Sequence, residues 1–447
     1  MKTFFQHRQL FAKLRWRNAG ALPPSVLVAS ILFLLPLTSA RGQAQTGYSL
    51  KVFHSFTGTN GGGPLSYPIR DVAGNLYGTT EFGGASGIGT VFGIDSKGNQ
   101  TLLYSFSGSD GALPTGPLLE DASGNLYGTT YLGGNLSSCF RGCGEVFKID
   151  TSGTLTLLYT FTNTNGDGIF AGPGLVRDAV GNLYGTTQNG GTGVCKWSYW
   201  GTCGTVFKID PAGNETVLYS FTGSNGDGAE PFTTLVMDSA GSIYGSTAAG
   251  GDYSGVCGTS KRHGCGTIWK LDPNTGKETV LHVFTAINGD GAHPNGDGGY
   301  LDANGNYYGT TPQGGTLKGC PGSGGFYPGC GIVFRIDARG NFSVLYKFSG
   351  PDGKGPNGPF VQDTKGNFYA TTNGGGAYDA GSVFEMSTAD GKNFQITTLI
   401  SFTRDNSEPK NPLGSVVLDA NGNLYGLSAD GGAWGQGSVF KLMPEKK

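Results

Sequence analysis

Gly74-Asn75-Leu76-Tyr77-Gly78-Thr79-Thr80 decides the fold, because the chain repeats this phrase, with small changes, seven times. The later copies begin at Gly124, Gly181, Gly241, Gly305, Gly366 and Gly422. An Asp stands three residues ahead of each copy: Asp71, Asp121, Asp178, Asp238, Asp302, Asp363 and Asp419. A Gly-Gly pair follows each, from Gly83-Gly84 to Gly431-Gly432. The starts span 348 residues in six intervals, a mean period of 58. Such a period marks a repeat architecture.

Four strand-like runs recur in every unit. In the second unit they are residues 116–120, 125–130, 145–149 and 155–161, short and rich in β-branched and aromatic residues. Sustained helical periodicity is missing after the first 44 residues, and 82 Gly and 21 Pro disfavour long helices. Asp121-Ala122-Ser123-Gly124-Asn125 suits a tight hairpin, in which the carboxylate caps the turn and Gly supplies the positive φ. Each unit therefore reads as a four-stranded antiparallel meander.

The chain ends fit a ring. After the last phrase one more strand follows, residues 437–442, so the seventh unit lacks its fourth strand. Val52-Phe53-His54-Ser55-Phe56 matches the fourth-strand pattern of Leu103-Tyr104-Ser105-Phe106. The expected fold is all-β: a seven-bladed β-propeller of four-stranded antiparallel blades, closed by the N-terminal strand completing the last blade. The fourth strand is then outermost, and the Gly/Pro-rich first strand lines the axis.

Residues 1–44 read as a signal peptide and residues 45–447 as one propeller domain of seven repeats. Lys2, Arg8, Lys13, Arg15 and Arg17 precede an apolar run at 25–37, and cleavage after Ala40 or Ala44 fits the small-x-small rule. An uncleaved N-terminal anchor is the other reading. The formal charge is −2. Without the leader, 24 basic and 32 acidic residues remain, a net −8. That balance argues against nucleic acid, which requires a basic face. No second apolar stretch of spanning length and no C-terminal anchor are read from the sequence. A secreted protein, extracellular, periplasmic or at the cell surface, is expected, as a monomer.

Eight cysteines fall into local pairs, Cys139/Cys143, Cys195/Cys203, Cys257/Cys265 and Cys320/Cys330, each between second and third strands. In an exported chain this spacing predicts four disulfides, one per loop. Zinc would need four ligands, and these loops hold two sulfurs each, with His263 in one of them.

The unit Asp-x-x-Gly-Asn-Leu-Tyr-Gly-Thr-Thr-x-x-Gly-Gly, continued by Gly-Thr-Val-Phe-Lys-Ile-Asp and Leu-Tyr-Ser-Phe, resembles the GloVer-type tandem repeat. The match is closest over 121–161 and 178–221 and extends over about 50–447. The resemblance implies a secreted or surface-attached bacterial repeat protein, often carrying one of several C-terminal anchors. It implies no catalytic residue. More distantly, the hairpins resemble those of other propellers, among them both enzymes and binding scaffolds.

Variation between copies collects in the 2–3 and 4–1 loops, which share one face, and loops over a rigid scaffold commonly carry sites. The richest is Lys196-Trp197-Ser198-Tyr199-Trp200, between Cys195 and Cys203. Its neighbours offer Phe140, Arg141, Tyr253, Arg262, His263, Phe326 and Tyr327. Trp197, Tyr199, Trp200, Arg141, Tyr253, Arg262 and Tyr327 are the candidate binding residues, able to stack on a sugar or anchor a protein. The alternative is that these rings pack onto their own loops. The Asp-Gly turns at Asp110, Asp167, Asp227, Asp290 and Asp352 carry hard oxygen ligands of the kind Ca2+ takes, but simple turn chemistry accounts for them, and no cofactor is expected. The phrase tyrosines recur in every unit and read as structural. No Gly-x-Ser-x-Gly elbow, His-Glu-x-x-His or phosphate loop occurs. The leading reading is an extracellular binding or scaffold module for a glycan or protein. The alternatives are a lyase or hydrolase working at the axial funnel and a structural envelope or matrix protein.

Overall fold

The computed structural model describes residues 47–445, apart from 225, 255–256, 258–262, 295–297, 317–319, 321–327 and 392. Its seven antiparallel four-stranded sheets form a ring, a seven-bladed β-propeller. Blade 2 is representative: Leu119–Glu120, Leu126–Thr130, Glu145–Ile149 and Leu155–Thr160, paired in that order from the axis outward. Blade 7 consists of Val416–Leu418, Leu424–Ser428, Ser438–Pro444 and, outermost, Tyr48–Ser55 from the other end of the chain. Tyr48 pairs with Pro444 and Ser55 with Ser438, so the expected closure is present.

The repeated phrase can now be read residue by residue. In every blade the Tyr hydroxyl donates to the hairpin Asp, as in Tyr127 to Asp121 at 3.0 Å and Tyr425 to Asp419 at 3.2 Å. The Asn side chain in blade 2 donates to the same carboxylate, Asn125 to Asp121. Gly128 follows Tyr127 because the ring of Phe147 lies over it, and a Cβ there would sit 2.6 Å from that ring. The first Thr reaches the next blade, Thr129 donating to the Gly172 carbonyl at 2.8 Å. The second Thr binds within its own blade, as Thr80 does to Thr90 at 2.7 Å.

Aromatic rings join the blades outside this layer. Each blade's Phe after the fourth strand packs on the third-strand ring of the next blade. Phe106 meets Phe147 at 5.3 Å, Phe161 meets Phe207 at 5.1 Å, and Phe221 meets Trp269 at 5.5 Å. Phe402 on Phe440 and Phe56 on Phe92, both 5.0 Å apart, carry the girdle through the closing blade. These rings are fully buried, and edge-on pairs of this kind add about 0.5–1.5 kcal/mol beyond burial.

One expectation was too generous. The innermost strand, read as five residues in blade 2, pairs over only Leu119–Glu120. At Gly116 the chain lies against Pro173 and Gly174 of the next blade, and the converging backbones leave no place for a longer ladder.

Candidate functional site

All four disulfides join the expected cysteines within single loops, and no free cysteine occurs among the described residues. Each clamped loop also holds the next blade. The Cys143 carbonyl accepts from the Phe170 amide, Cys203 from Glu230, Cys265 from His293 and Cys330 from Gly355, at 2.7–2.9 Å. The blades without a disulfide make the same bond: Gly63 donates to Gln436, Leu113 to Ile88 and Asn411 to Ala380. All seven donors are left-handed, with φ between 51° and 63°. They ring the entrance to the axis on the loop face, and they carry Gly, Leu, Phe, Glu, His, Gly and Asn.

The 195–203 loop is built rather than loose. The Ser198 amide donates to the Cys195 carbonyl and the Gly201 amide to Ser198. Asn189 Nδ2 donates to Ser198 Oγ at 2.9 Å and to the Thr202 carbonyl at 3.1 Å. On this frame the three aromatic candidates part ways. Trp197 stacks face to face on His263 of the adjacent clamped loop, centroids 4.4 Å apart and planes 4° apart. Tyr253 lies beside Trp197, and its hydroxyl donates to the Gly223 carbonyl. Tyr199 is 79% exposed. Trp200 turns inward, edge-on to Phe170 at 5.3 Å, and packs against the core of blades 2 and 3. Its indole Nε1 is buried with no acceptor among the described residues.

Trp200 leads to a cluster that the sequence did not single out. Phe170 stacks on Tyr131 at 5.0 Å, and Tyr131 meets Phe232 edge-on at 5.8 Å. The Tyr131 hydroxyl donates to Gln188 Oε1 at 2.7 Å, and the Gln188 side chain in turn bonds Glu230. Burial pushes the Glu230 carboxyl above its ordinary range. On the neighbouring blade, burial lowers His293 to about 4, opposed by a bond to the Ala248 backbone. The Ala248 amide itself donates to the Glu230 carbonyl, so the two residues share one backbone bridge. A faint signal exists in the sequence: Glu230 and His293 each lie between an Ala and a Pro, just after a Gly-Asp-Gly turn.

Other candidates fall elsewhere. Arg141 lies over Phe140 at 5.6 Å in the blade 2 loop, both exposed and apart from the Trp197 stack. Arg262, Phe326 and Tyr327 lie outside the described residues. The turn aspartates cap their own loops: Asp167 accepts from the Thr162 amide and hydroxyl, both at 2.7 Å, and from the Gly168 amide. Asp290 likewise accepts from Thr285 and Gly291. Among the described residues, no three His, Cys, Asp or Glu side chains gather as a metal ion would need. Between blades 4 and 5 a cavity of about 10 Å3, lined in part by Thr233, Ser246 and Tyr307, has room for one water and none for a ligand.

The repeat with its clamped loops matches the Gloeobacter/Verrucomicrobia repeat over residues 40–259 and 253–447. The chain belongs to this family. No curated protein matches it. Among solved structures, the extracellular domain of a protein described as a hybrid two-component system from B. thetaiotaomicron is similar, with TM-score 0.53 and 15% identity. That alignment covers 88% of this chain and only 41% of the other. An oligogalacturonate lyase from Vibrio parahaemolyticus aligns with TM-score 0.49 and 11% identity over 90% of this chain and 98% of the other. A Trichoderma reesei carbohydrate-active enzyme of family AA12 aligns with TM-score 0.45 and 15% identity, covering 92% and 99%. At these identities the likeness is one of fold alone.

Proposed function

We propose that the protein is an exported binding module that takes a glycan on its disulfide-clamped loop face. The observation that carries this reading is where apolar surface is left uncovered. Tyr199, Phe140, Leu136, Val194 and Trp434 are each at least 66% exposed, and all belong to 2–3 loops. The opposite face presents short Asp-capped hairpins of nearly one design, where Val72 and Val180 are exposed aliphatic tips, while the exposed aromatic rings among the described residues lie in the 2–3 loops. Exposed apolar side chains on a rigid frame are what interaction surfaces need, and the Trp197–His263 stack ties two of these clamped loops together. Four disulfides and the basic-then-apolar leader support export to an oxidising compartment.

A glycan array probed with the protein, followed by titration of Tyr199→Ala, tests the reading. Tyr199 is exposed, so the variant is expected to keep its melting temperature while losing about tenfold or more in affinity, as an interface anchor would. A variant that binds as the parent does removes Tyr199 from the site. An array on which no glycan binds ends the glycan reading.

An enzyme at the axial entrance is the second reading, and one observation favours it. Glu230 and His293 stand on adjacent blades with a raised and a lowered pKa, the pattern of an acid–base pair. Turnover of any saccharide that is abolished in both Glu230→Gln and His293→Ala would replace binding by catalysis.

A further inference from the structure

We propose that Glu145 is an acid-closed latch on the clamped loop of blade 2, holding the Gly133-Gly134 turn while its carboxyl is neutral and releasing it when the carboxyl ionises. The latch does not depend on what the loop face binds.

Position 145 opens the third strand of its blade. The other six blades place Thr90, Thr205, Thr267, Ile332, Ser382 and Ser438 there. Five of these are hydroxyls, and each pairs with the last hydroxyl of the repeated phrase. Thr80 meets Thr90, Thr187 meets Thr205, Thr247 meets Thr267, Thr372 meets Ser382 and Ser428 meets Ser438, at 2.7–2.9 Å. A second hydroxyl, from the fourth strand, closes the loop just past the glycines. It accepts the Ala85 amide at Ser105, the Ala377 amide at Ser401 and the Ala433 amide at Ser55, at 2.8–3.2 Å. In blade 2 both hydroxyls turn to Glu145 instead. Thr130 accepts the Glu145 amide at 3.1 Å, and Thr160 donates to Glu145 Oε1 at 3.0 Å. A titratable group thus stands where the other blades use neutral ones.

The surroundings of that group make ionisation matter. Glu145 is 1% exposed, and its Oε2 has no hydrogen-bond partner among the described residues. The carboxyl fills a slot between Gly111 and Gly134, where a Cβ on either would lie within 3.0 Å of its oxygens. These glycines belong to two turns that the Gly134 amide joins, donating to the Gly108 carbonyl at 2.9 Å. The facing titratable groups are Asp110 and Tyr104, both from the outer part of blade 1. Arg141, at the loop tip, lies over Phe140 instead. A carboxylate here would hold a charge and an unmet acceptor away from water, which is costly until water reaches it. Parting the two turns lets water in. Burial raises the carboxyl to about 7, with the Thr160 bond opposing and the Asp110 charge adding to the rise. The closed turn therefore holds the proton more tightly than the open one. Closure is full below pH 4.5 and is lost as pH rises through about 7. The loop so held displays Leu136 and Phe140, both largely exposed, so the latch sets how firmly that part of the face is presented.

Hydrogen exchange on the full exported chain at pH 5 and pH 8, corrected for the intrinsic effect of pH, tests the latch. Protection at the Gly134 and Gly144 amides is expected to fall about tenfold or more between the two. The equivalent Gly437 amide, ahead of Ser438 in blade 7, is expected to hold. Glu145→Gln, which stays neutral, and Glu145→Thr, the residue of three other blades, are expected to keep both blade 2 amides protected at either pH. A 13C titration of the Glu145 carboxyl in the parent should share its midpoint with the loss of protection. Equal protection at the two pH values in the parent overturns the latch, and so does a fall that persists in Glu145→Gln. Should neither variant fold, the parent still decides: a carboxyl midpoint near 4.5, or one displaced from the exchange transition, overturns the latch, and coincidence of the two upholds it.

Discussion

Gly128 shows how one residue type can be required by a neighbour in the next strand. Its missing Cβ makes room for the Phe147 ring, and the same arrangement recurs at Gly78 under Phe92. Gly128→Ala is therefore expected to cost about 1–3 kcal/mol by overpacking, and Gly128→Ala/Phe147→Leu to recover part of it, as denaturant melts would show. Additive losses would mean the two do not touch. Blade 6 already carries Ala370 at this position, beside the buried Phe384, so the strain there has been accommodated locally. At this scale the sequence was informative where residues repeat. The phrase Tyr and the hairpin Asp were readable as structural because seven copies share one geometry. Glu230 was not readable, because nothing in a residue's letter reveals a left-handed φ or the nearness of Tyr131, about one hundred residues earlier.

Loops and strands form the next scale. Cys positions gave the disulfide pairing outright, since four separate loops each held two sulfurs. Aromatic content gave a correct address but no orientation. Trp197, Tyr199 and Trp200 are neighbours in sequence, yet one stacks sideways on His263, one faces solvent and one joins the core. Alternation of this kind depends on the turn that Asn189 pins from below. Removing the bond with Cys195→Ser/Cys203→Ser should loosen the loop and its grip on the Glu230 amide. The chain-entropy model puts about 2–3 kcal/mol on a loop this short. Hydrogen exchange is expected to speed up at residues 195–204 and at the amide of Glu230 while the distant blades keep their protection. Uniform acceleration around the ring would show that the clamp supports the whole fold.

For the whole molecule, closure and protonation set stability. Deleting residues 45–57 strips the outer strand from Ser438–Pro444 and removes Phe56 from the Phe92 ring. Blade 7 is then left with an open outer edge and blade 1 without its girdle partner at Phe92, and the melting transition is expected to fall and broaden throughout. An unchanged transition would show that the ring stands without its closing strand. Protonation acts through carboxyls with opposite shifts. Burial raises Glu145, Glu215 and Glu278 from 4.5 to about 7. Their contribution is full below pH 4.5 and is lost as pH rises through about 7. His293, lowered from 6.5 to about 4, acts the other way, losing its contribution as pH falls through that window. Asp121 also opposes burial: hydrogen bonds from Asn125, the backbone and Tyr127 hold it at about 2, so its contribution disappears only in strong acid. Three groups outweigh one, and the melting temperature is expected to be higher at pH 5 than at pH 8. Glu145→Gln/Glu215→Gln/Glu278→Gln should flatten that difference; a profile as steep as before would place its origin in other groups.

The bond from the Glu445 amide to the Gly47 carbonyl sets the first and last described strands side by side. A propeller so joined has a covalent break but no physical beginning. Tying residue 445 to residue 47 through a few glycines and reopening the chain at the exposed hairpin around Val180 would relocate the seam from blade 7 to blade 3 without removing a single ladder bond. Such a circular permutant would carry the same seven aromatic contacts and the same seven carbonyl clasps. Only the order in which the blades emerge during synthesis would differ, so a change in folding rate between the two forms would report which blade the ring assembles around.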